Sequence, residues 1–272
     1  MTNSIQLEPT SERLIEEDYR RSDAAYAIYI FHLATYALAE AHAASKLVLD
    51  LGCGSGYGSR RLADRAKHVV AVDVAADAIS YARERYGAPN LDFSCIDPEK
   101  PLPFEDNHFD LVCSFQVIEH VKDVERYLRE MRRVMRPDGL AVIVTPDRRH
   151  RLFRFQKPWN PWHLTEYSKE SLEKVISRTF GRVEVHTMGG SSKIMDPELS
   201  RCRRIRNLTL PLTLKFVPER IRIWALRKAI AWRASRARPS PTSATLELSA
   251  ALDVTVGPNT EPAVNLVAYV RK

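Results

Sequence analysis

Cysteine is scarce and unpaired: Cys53, Cys95, Cys113 and Cys202 are the only four, with no CxxC pair among them. Such scatter argues against zinc ligation or a disulfide framework. Three of the four fall in apolar, strand-like surroundings, so buried free thiols in a reducing compartment are expected. No apolar run approaches the roughly 18 residues that span a bilayer, and residues 1–17 are polar and acidic, without the apolar stretch of a secretory leader. A cytoplasmic protein is expected, with membrane association open only through the basic segment described below. There is no internal repeat, no dominant low-complexity block and no recognisable nucleic-acid-binding module, so no nucleic-acid partner is expected.

What is present suits one large α/β domain with an elaboration: 272 residues, 44% hydrophobic and 28% charged. The net charge of +7 is unevenly placed. Between Lys193 and Arg238 stand thirteen Lys/Arg against Asp196, Glu198 and Glu219, a segment charge of +10, which leaves about −3 for the rest.

Residues 11–44 read as a helix, capped by Thr10 or Ser11 and Ala-rich through Tyr26, Ile30, Leu33 and Leu38. Strands are expected at 46–51, 68–74, 91–95, 109–115 and 140–145. Helices are expected at 59–66, at 77–85 with Asp77 as cap, and at 122–135, the last stopped by Pro137-Asp138-Gly139. Strands alternating with helices at this spacing imply a doubly wound parallel sheet. After a basic, aromatic loop (148–163) come a helix at 169–178 and a strand at 182–187. Residues 189–262 break the alternation with a basic helix at 218–238 and a Pro/Ser/Thr linker at 239–245. A last strand follows at 264–270.

Gly52-Cys53-Gly54-Ser55-Gly56 sits where the first strand turns into the first helix, a place where glycines let backbone approach a ligand. Asp73 closes the second strand, where a carboxylate meets the hydroxyls of a ribose. The G-x-G-x-x-G of dinucleotide sites fails, because Tyr57 or Ser59 occupies its last position. Asp50, just before the turn, suits a ligand with an amino group better than one with a pyrophosphate. A merely structural tight turn is the bland alternative.

These residues resemble the class I S-adenosylmethionine (SAM)-dependent methyltransferases over roughly residues 46–187. Val48 to Gly58 is similar to the family's first motif and Val69 to Asp73 with Ala78 to Tyr81 to its second. Asp97 with Leu102-Pro103-Phe104-Glu105-Asp106 through Phe109-Asp110, Phe115 to His120, and Leu128 to Gly139 resemble later ones. The resemblance implies a Rossmann-like, seven-stranded, mostly parallel sheet whose last strand is antiparallel. Together with the broken alternation after residue 188, it implies a division of the chain into an N-terminal helical cap (1–44), a SAM-binding domain (45–188), a basic helical insertion or lid (189–262) and the final strand (263–272). It also implies SAM as cofactor. Asp50 with Gly52, Gly54 and Gly56 would hold the methionyl end, Asp73 the ribose, Asp97 or Ile96 the adenine, and Phe115-Gln116 the sulfonium side, with Tyr57 and Val74 also among the cofactor-binding residues. More narrowly, Glu12-Arg13, the turn Cys53 to Ser59, Phe115 to His120 and Asn160 to Tyr167 resemble a bacterial subgroup of sugar O-methyltransferases. That subgroup includes mycobacterial methylmannose polysaccharide methyltransferases. Its members commonly carry Glu where this chain has Ser55, and often Glu at Gln116, which leaves the acceptor open. A carbohydrate or glycolipid hydroxyl is the expected acceptor, with a quinone, amino sugar or polyketide, or a non-catalytic SAM-binding role, as alternatives.

A hydroxyl acceptor calls for a general base. His120, after the fourth strand at the carboxyl edge of the sheet, is the first candidate, since an imidazole exchanges protons near neutrality. Its bland alternative is a helix cap. His163, in Trp159-Asn160-Pro161-Trp162-His163, is the second, and Glu119 would orient His120 or bind SAM. Trp159 and Trp162 would stack on a sugar face or pack the lid. Glu166 and Asp147 are the acids that would join a Mg2+ site if there were one. The basic helix 218–238, with Ile221, Trp224, Ile230 and Trp232, would meet an anionic membrane or a phosphorylated acceptor, or simply cover the domain. A homodimer stays open.

Overall fold

The computed structural model describes residues 22–236 and 249–272. The first helix, α1, spans Asp23–Ala43, and the Ser22 hydroxyl accepts from the Ala25 N–H at 3.2 Å, which satisfies one of the donors a helix start leaves over. The expected earlier start near Ser11, Glu12-Arg13 and the linker 239–245 lie outside the described residues.

The alternation follows as β1 (Leu47–Leu51), α2 (Tyr57–Ala63), β2 (His68–Asp73), α3 (Ala76–Tyr86), β3 (Leu91–Cys95), β4 (Phe109–Phe115), α4 (Val124–Val134) and β5 (Met135–Pro146). Then come α5 (Arg148–Arg151), α6 (Lys169–Ile176), β6 (Arg182–Gly190), α7 (Ser192–Thr213), α8 (Glu219–Arg236), α9 (Ala250–Asp253), β7 (Val254–Gly257) and β8 (Ala263–Arg271). The sheet order is β3-β2-β1-β4-β5-β8-β6-β7. Strands β1 to β5 pair in parallel, and β8 runs antiparallel between β5 and β6. This is a Rossmann-like, doubly wound α/β sheet with an antiparallel C-terminal edge.

Central strands with both faces covered must be apolar throughout. Val48 and Leu111 face a core shared with α1 and α2, whereas Leu49 and Val112 face one shared with α4 and α6. On α4, Leu128, Met131 and Val134 recur at helical spacing and are all buried. Strand order reverses between β1 and β4, which opens a crevice beyond their carboxyl ends.

Four expectations need correction. The sheet has eight strands, because the insertion contributes β7, which pairs outside β6 from Thr187↔Gly257 to Gly190↔Val254. Pro137-Asp138-Gly139 does not separate a helix from a new strand: Met135 already pairs with Phe109 and Leu140 with Leu111, and the exposed turn bulges out between them. Asp77 does not cap α3. Ala75 holds that position without a side-chain bond, and Asp77 lies in the first turn, where its charge complements the helix dipole. Cys95 is exposed, while Cys53, Cys113 and Cys202 are buried, and all four are free thiols.

Candidate functional site

The crevice is a cleft of about 1260 Å³. Its floor is the turn after β1. Gly52 has φ +91°, and a Cβ there would stand 2.3 Å from Val117 Cγ2, so glycine is required twice over. Gly54 and Gly56 also have positive φ, and a Cβ on Gly54 would meet nothing within 4 Å, which leaves its backbone bare to the cleft. Gly58 serves packing instead: its missing side chain makes room for the Tyr36 ring, whose Cζ would lie 1.9 Å from a Cβ.

Asp73 ends β2 at the cleft wall. Its Oδ2 accepts from Gly54 N–H and its Oδ1 from Ala75 N–H, both at 2.9 Å, so two loops hold the carboxylate still. Exposed Val74 and half-buried Ile96 give the wall an apolar patch beside it. Asp97 is held below the usual carboxylate range by the Glu99 N–H, which it accepts at 2.9 Å. Phe115 and Gln116 close the far side. Gln116 takes a left-handed φ of +58° and donates to Asn265 Oδ1 at 3.4 Å.

Asp50 is placed differently from expectation. It is buried behind the turn rather than on the cleft surface, where its Oδ2 accepts from Ser59 Oγ at 2.7 Å and Tyr36 Oη at 3.3 Å. Burial lifts its pKa to about 6 against the pull of those two bonds. Its Oδ1 and the Tyr57 hydroxyl are buried without a hydrogen-bond partner. Orphaned buried polar atoms carry a cost. A ligand amino group or bound water reaching past the turn would relieve it. Bare glycine backbone, a fixed carboxylate for vicinal hydroxyls, an apolar wall and these orphan atoms together fit SAM.

Among the histidines, only His120 and His32 line the cleft. His120 ends a 3-10 turn (Ile118–His120) after β4, and its Nδ1 lies 3.1 Å from the Trp162 carbonyl oxygen. A carbonyl only accepts, so this contact places the proton on Nδ1 and the lone pair on Nε2. Glu119 is fully buried beneath it and does not line the cleft, which favours the orienting role over contact with SAM. Its Oε2 accepts from Thr145 Oγ1 at 2.8 Å, its Oε1 has no hydrogen-bond partner, and burial pushes its pKa up to about 7. Its backbone carbonyl receives Leu164 and Thr165 N–H, pinning the loop that carries Trp162.

His163 also departs from expectation. Although its ring lies 4.7 Å edge-on from that of His120, it is buried behind it, with Nδ1 3.0 Å from Glu166 Oε1. Burial lowers its pKa to about 4. Burial alone would raise Glu166, but Arg151, paired through both carboxylate oxygens, and His163 overcome it and hold it at about 2. Asp147 is likewise engaged, by the Arg149 N–H and Nε. Glu166 and Asp147 are thus the salt-bridged acids of the bland alternative. The set that could gather round a cation among the described residues is Glu119, His120 and His163, whose ligand atoms lie within 4.8 Å of one another. Trp162 lines the cleft, whereas Trp159 is packed under Arg151, whose guanidinium carbon is 4.4 Å from the ring centroid.

Tyr36, His32 and Ser59 are site residues that sequence reasoning missed. Tyr36 and His32 lie on α1, where an Ala-rich apolar pattern signals packing and nothing more. Burial lowers the His32 pKa to about 4.

Residues 49–143 match a family described as "Methyltransferase domain". The chain is 36% identical over 146 residues to a "Probable S-adenosylmethionine-dependent methyltransferase" of Mycobacterium tuberculosis, covering 53% of this chain and 52% of that protein. It is 32% identical over 131 residues to a "Ubiquinone biosynthesis O-methyltransferase" of a Bradyrhizobium species, covering 45% and 51%. The chain thus spans about half the length of these curated relatives. Among solved structures, a SAM-dependent methyltransferase of Thermotoga maritima superposes with a TM-score of 0.54 at 16% identity, over 90% of this chain and 92% of that one. The [4+2]-cyclase SpnF superposes at 0.55 with 19% identity, over 89% and 81%. These two likenesses concern the fold alone. The segment that matches the methyltransferase-domain family, residues 49–143, is the one that carries the glycine turn, Asp73 and His120.

Proposed function

We propose that the protein is a SAM-dependent methyltransferase that methylates a hydroxyl of a carbohydrate or glycolipid, with His120 as general base. The observation that carries this reading is that Asp73, the bare Gly54 backbone and His120 line one cleft at the sheet's switch point. The relatives' names support methyl transfer, and the cleft position of Trp162 supports a sugar ring on the acceptor side. Held by the glycine turn and Asp73, SAM would supply an electrophilic methyl carbon, with the sulfonium sulfur as the leaving group that takes the electron pair.

The chain's own residues then have to hold, align and deprotonate. Alignment of reactants is worth roughly 7–11 kcal/mol where geometry is good, and the rigid glycine turn with its bracketed Asp73 supplies one half of it. The acceptor proton passes to Nε2 of His120, whose tautomer the Trp162 carbonyl fixes. The imidazolium so formed sits against Glu119, whose ionisation it favours. Glu119 and the Glu166–His163 pair are positioning groups beneath His120, and no cation is needed for these steps.

Calorimetry with SAM and S-adenosylhomocysteine is the first test. Wild type should bind both, and Asp73→Ala should lose most of that affinity. His120→Ala should keep cofactor affinity while turnover falls by about 10²–10⁴-fold. No cofactor binding by wild type would end the reading, and undiminished turnover by His120→Ala would end the base assignment. A second reading, a quinone or acyl-carrier substrate, takes support from the names of other relatives, among them "Malonyl-[acyl-carrier protein] O-methyltransferase". An acceptor screen by S-adenosylhomocysteine release separates the two.

A further inference from the structure

The insertion ends in a surface that the reaction does not use. Six of the nine exposed large hydrophobic residues among those described fall within the insertion, five of them between positions 208 and 232: Leu208, Phe216, Ile221, Trp224 and Trp232. On α8, Ile221, Trp224, Lys228 and Trp232 follow one another at helical spacings and share one face. Arg222 and Leu226 are buried on another face and anchor the helix to the body. The exposed face is thus an outward one, where exposed apolar bulk calls for a partner.

Its charge says what kind. Residues 201–232 hold nine Lys/Arg and a single acid, Glu219, which is already committed to Arg222 and Lys157. Arg203, Arg204, Lys215, Arg220 and Lys228 are exposed and form no ion pair with a described residue. Trp and Ile on a helix face bordered by cations match an anionic lipid surface, where rings settle at the headgroup level and cations meet phosphates. No described helix is long and apolar enough to cross a membrane.

We propose that α8, with the turn at Phe216 before it, docks the protein on an anionic membrane. The same helix is fastened to the wall of the cleft. Arg222 donates to the Pro158 carbonyl, Lys157 donates to that of Val217 at 2.7 Å, and the Arg227 guanidinium lies 5.9 Å from the Trp162 ring centroid. Docking therefore sets the Trp162 side of the cleft close to the lipid, as an acceptor carried in a membrane requires. The docking itself does not rest on methyl transfer.

The test uses the full chain and vesicles of mixed phosphatidylglycerol and phosphatidylcholine, with pure phosphatidylcholine as control. Co-sedimentation is expected with the anionic vesicles at low salt, and it should fade at high salt. Arg220→Gln and Lys228→Gln should each weaken it about fivefold, and Trp224→Ser should weaken it further, with unchanged thermal unfolding midpoints. Failure to bind anionic vesicles, or binding that these substitutions leave unaltered, overturns the proposal. So does self-association that Trp224→Ser abolishes without any vesicle binding, because the face would then belong to a second copy. Preferential binding of duplex nucleic acid over vesicles would overturn it as well.

Discussion

At one end of the cleft, Asp73 takes its two hydrogen bonds from the backbone of Gly54 and Ala75, and the glycine turn does the rest. At the other end, His120 stands on side chains gathered from β5, α5 and the loop before α6: Thr145, Arg151, His163 and Glu166, with Glu119 beneath it. Main-chain atoms and short loops build the first end. A buried network of ionisable groups builds the second, and such networks are costly when any member is missing. The first end should therefore tolerate polar side-chain changes in stability terms and register them in cofactor affinity. The second should register them in folding.

The sharpest way to break this comparison is Arg151→Met. It leaves Glu166 ionised and buried, and removing one partner of a buried pair costs about 3–5 kcal/mol. Denaturant unfolding should show that loss, and the double variant with Glu166→Gln should recover part of it. A single variant as stable as wild type would mean that the network is not what holds the acceptor wall.

Glu119→Gln should have a smaller effect of opposite sign. Its carboxyl has a folded pKa raised to about 7 from 4.5, so the native state prefers it protonated. Wild-type stability from this group is full below about pH 4.5 and is lost as pH rises towards and past 7. The amide keeps an acceptor for Thr145 and never ionises. Glu119→Gln should match wild type near pH 4.5 and exceed it near pH 8 by on the order of 3 kcal/mol. A difference that does not change with pH would contradict the assigned burial effect.

The mildest change is Tyr36→Phe at the glycine-turn end. It removes one long hydrogen bond to Asp50, worth about 1 kcal/mol. The loss should be greater above pH 6, where Asp50 is ionised, than below it. Thermal unfolding at the two pH values measures this. A loss as large as that of Arg151→Met would erase the distinction between the two ends.

The contrast also explains what could be read from the residues in order. Strands β1 to β5 follow from apolar runs bounded by turns, and the glycine turn with Asp73 is local enough for spacing alone to expose it. Asp50 was legible as a special carboxylate, but its burial behind the turn depends on Tyr36, fourteen positions earlier on helix α1. His120 and His163 look equivalent as two histidines near the sheet edge. Only packing separates them, leaving one on the cleft wall and burying the other against Glu166. Strand β7 was missed because four residues in an irregular stretch carry too little pattern to announce a strand.

By itself the sequence determined the doubly wound sheet, the ligand-binding turn and the concentration of positive charge in one insertion, because each depends on period, spacing or composition within a short stretch. Tertiary structure decided which ionisable groups face the cleft, which are paired out of reach, and which face of α8 is left uncovered. Those outcomes depend on burial and on partners distant in the chain, since a carboxylate or an imidazole takes its chemistry from the charges and the water that the fold leaves around it.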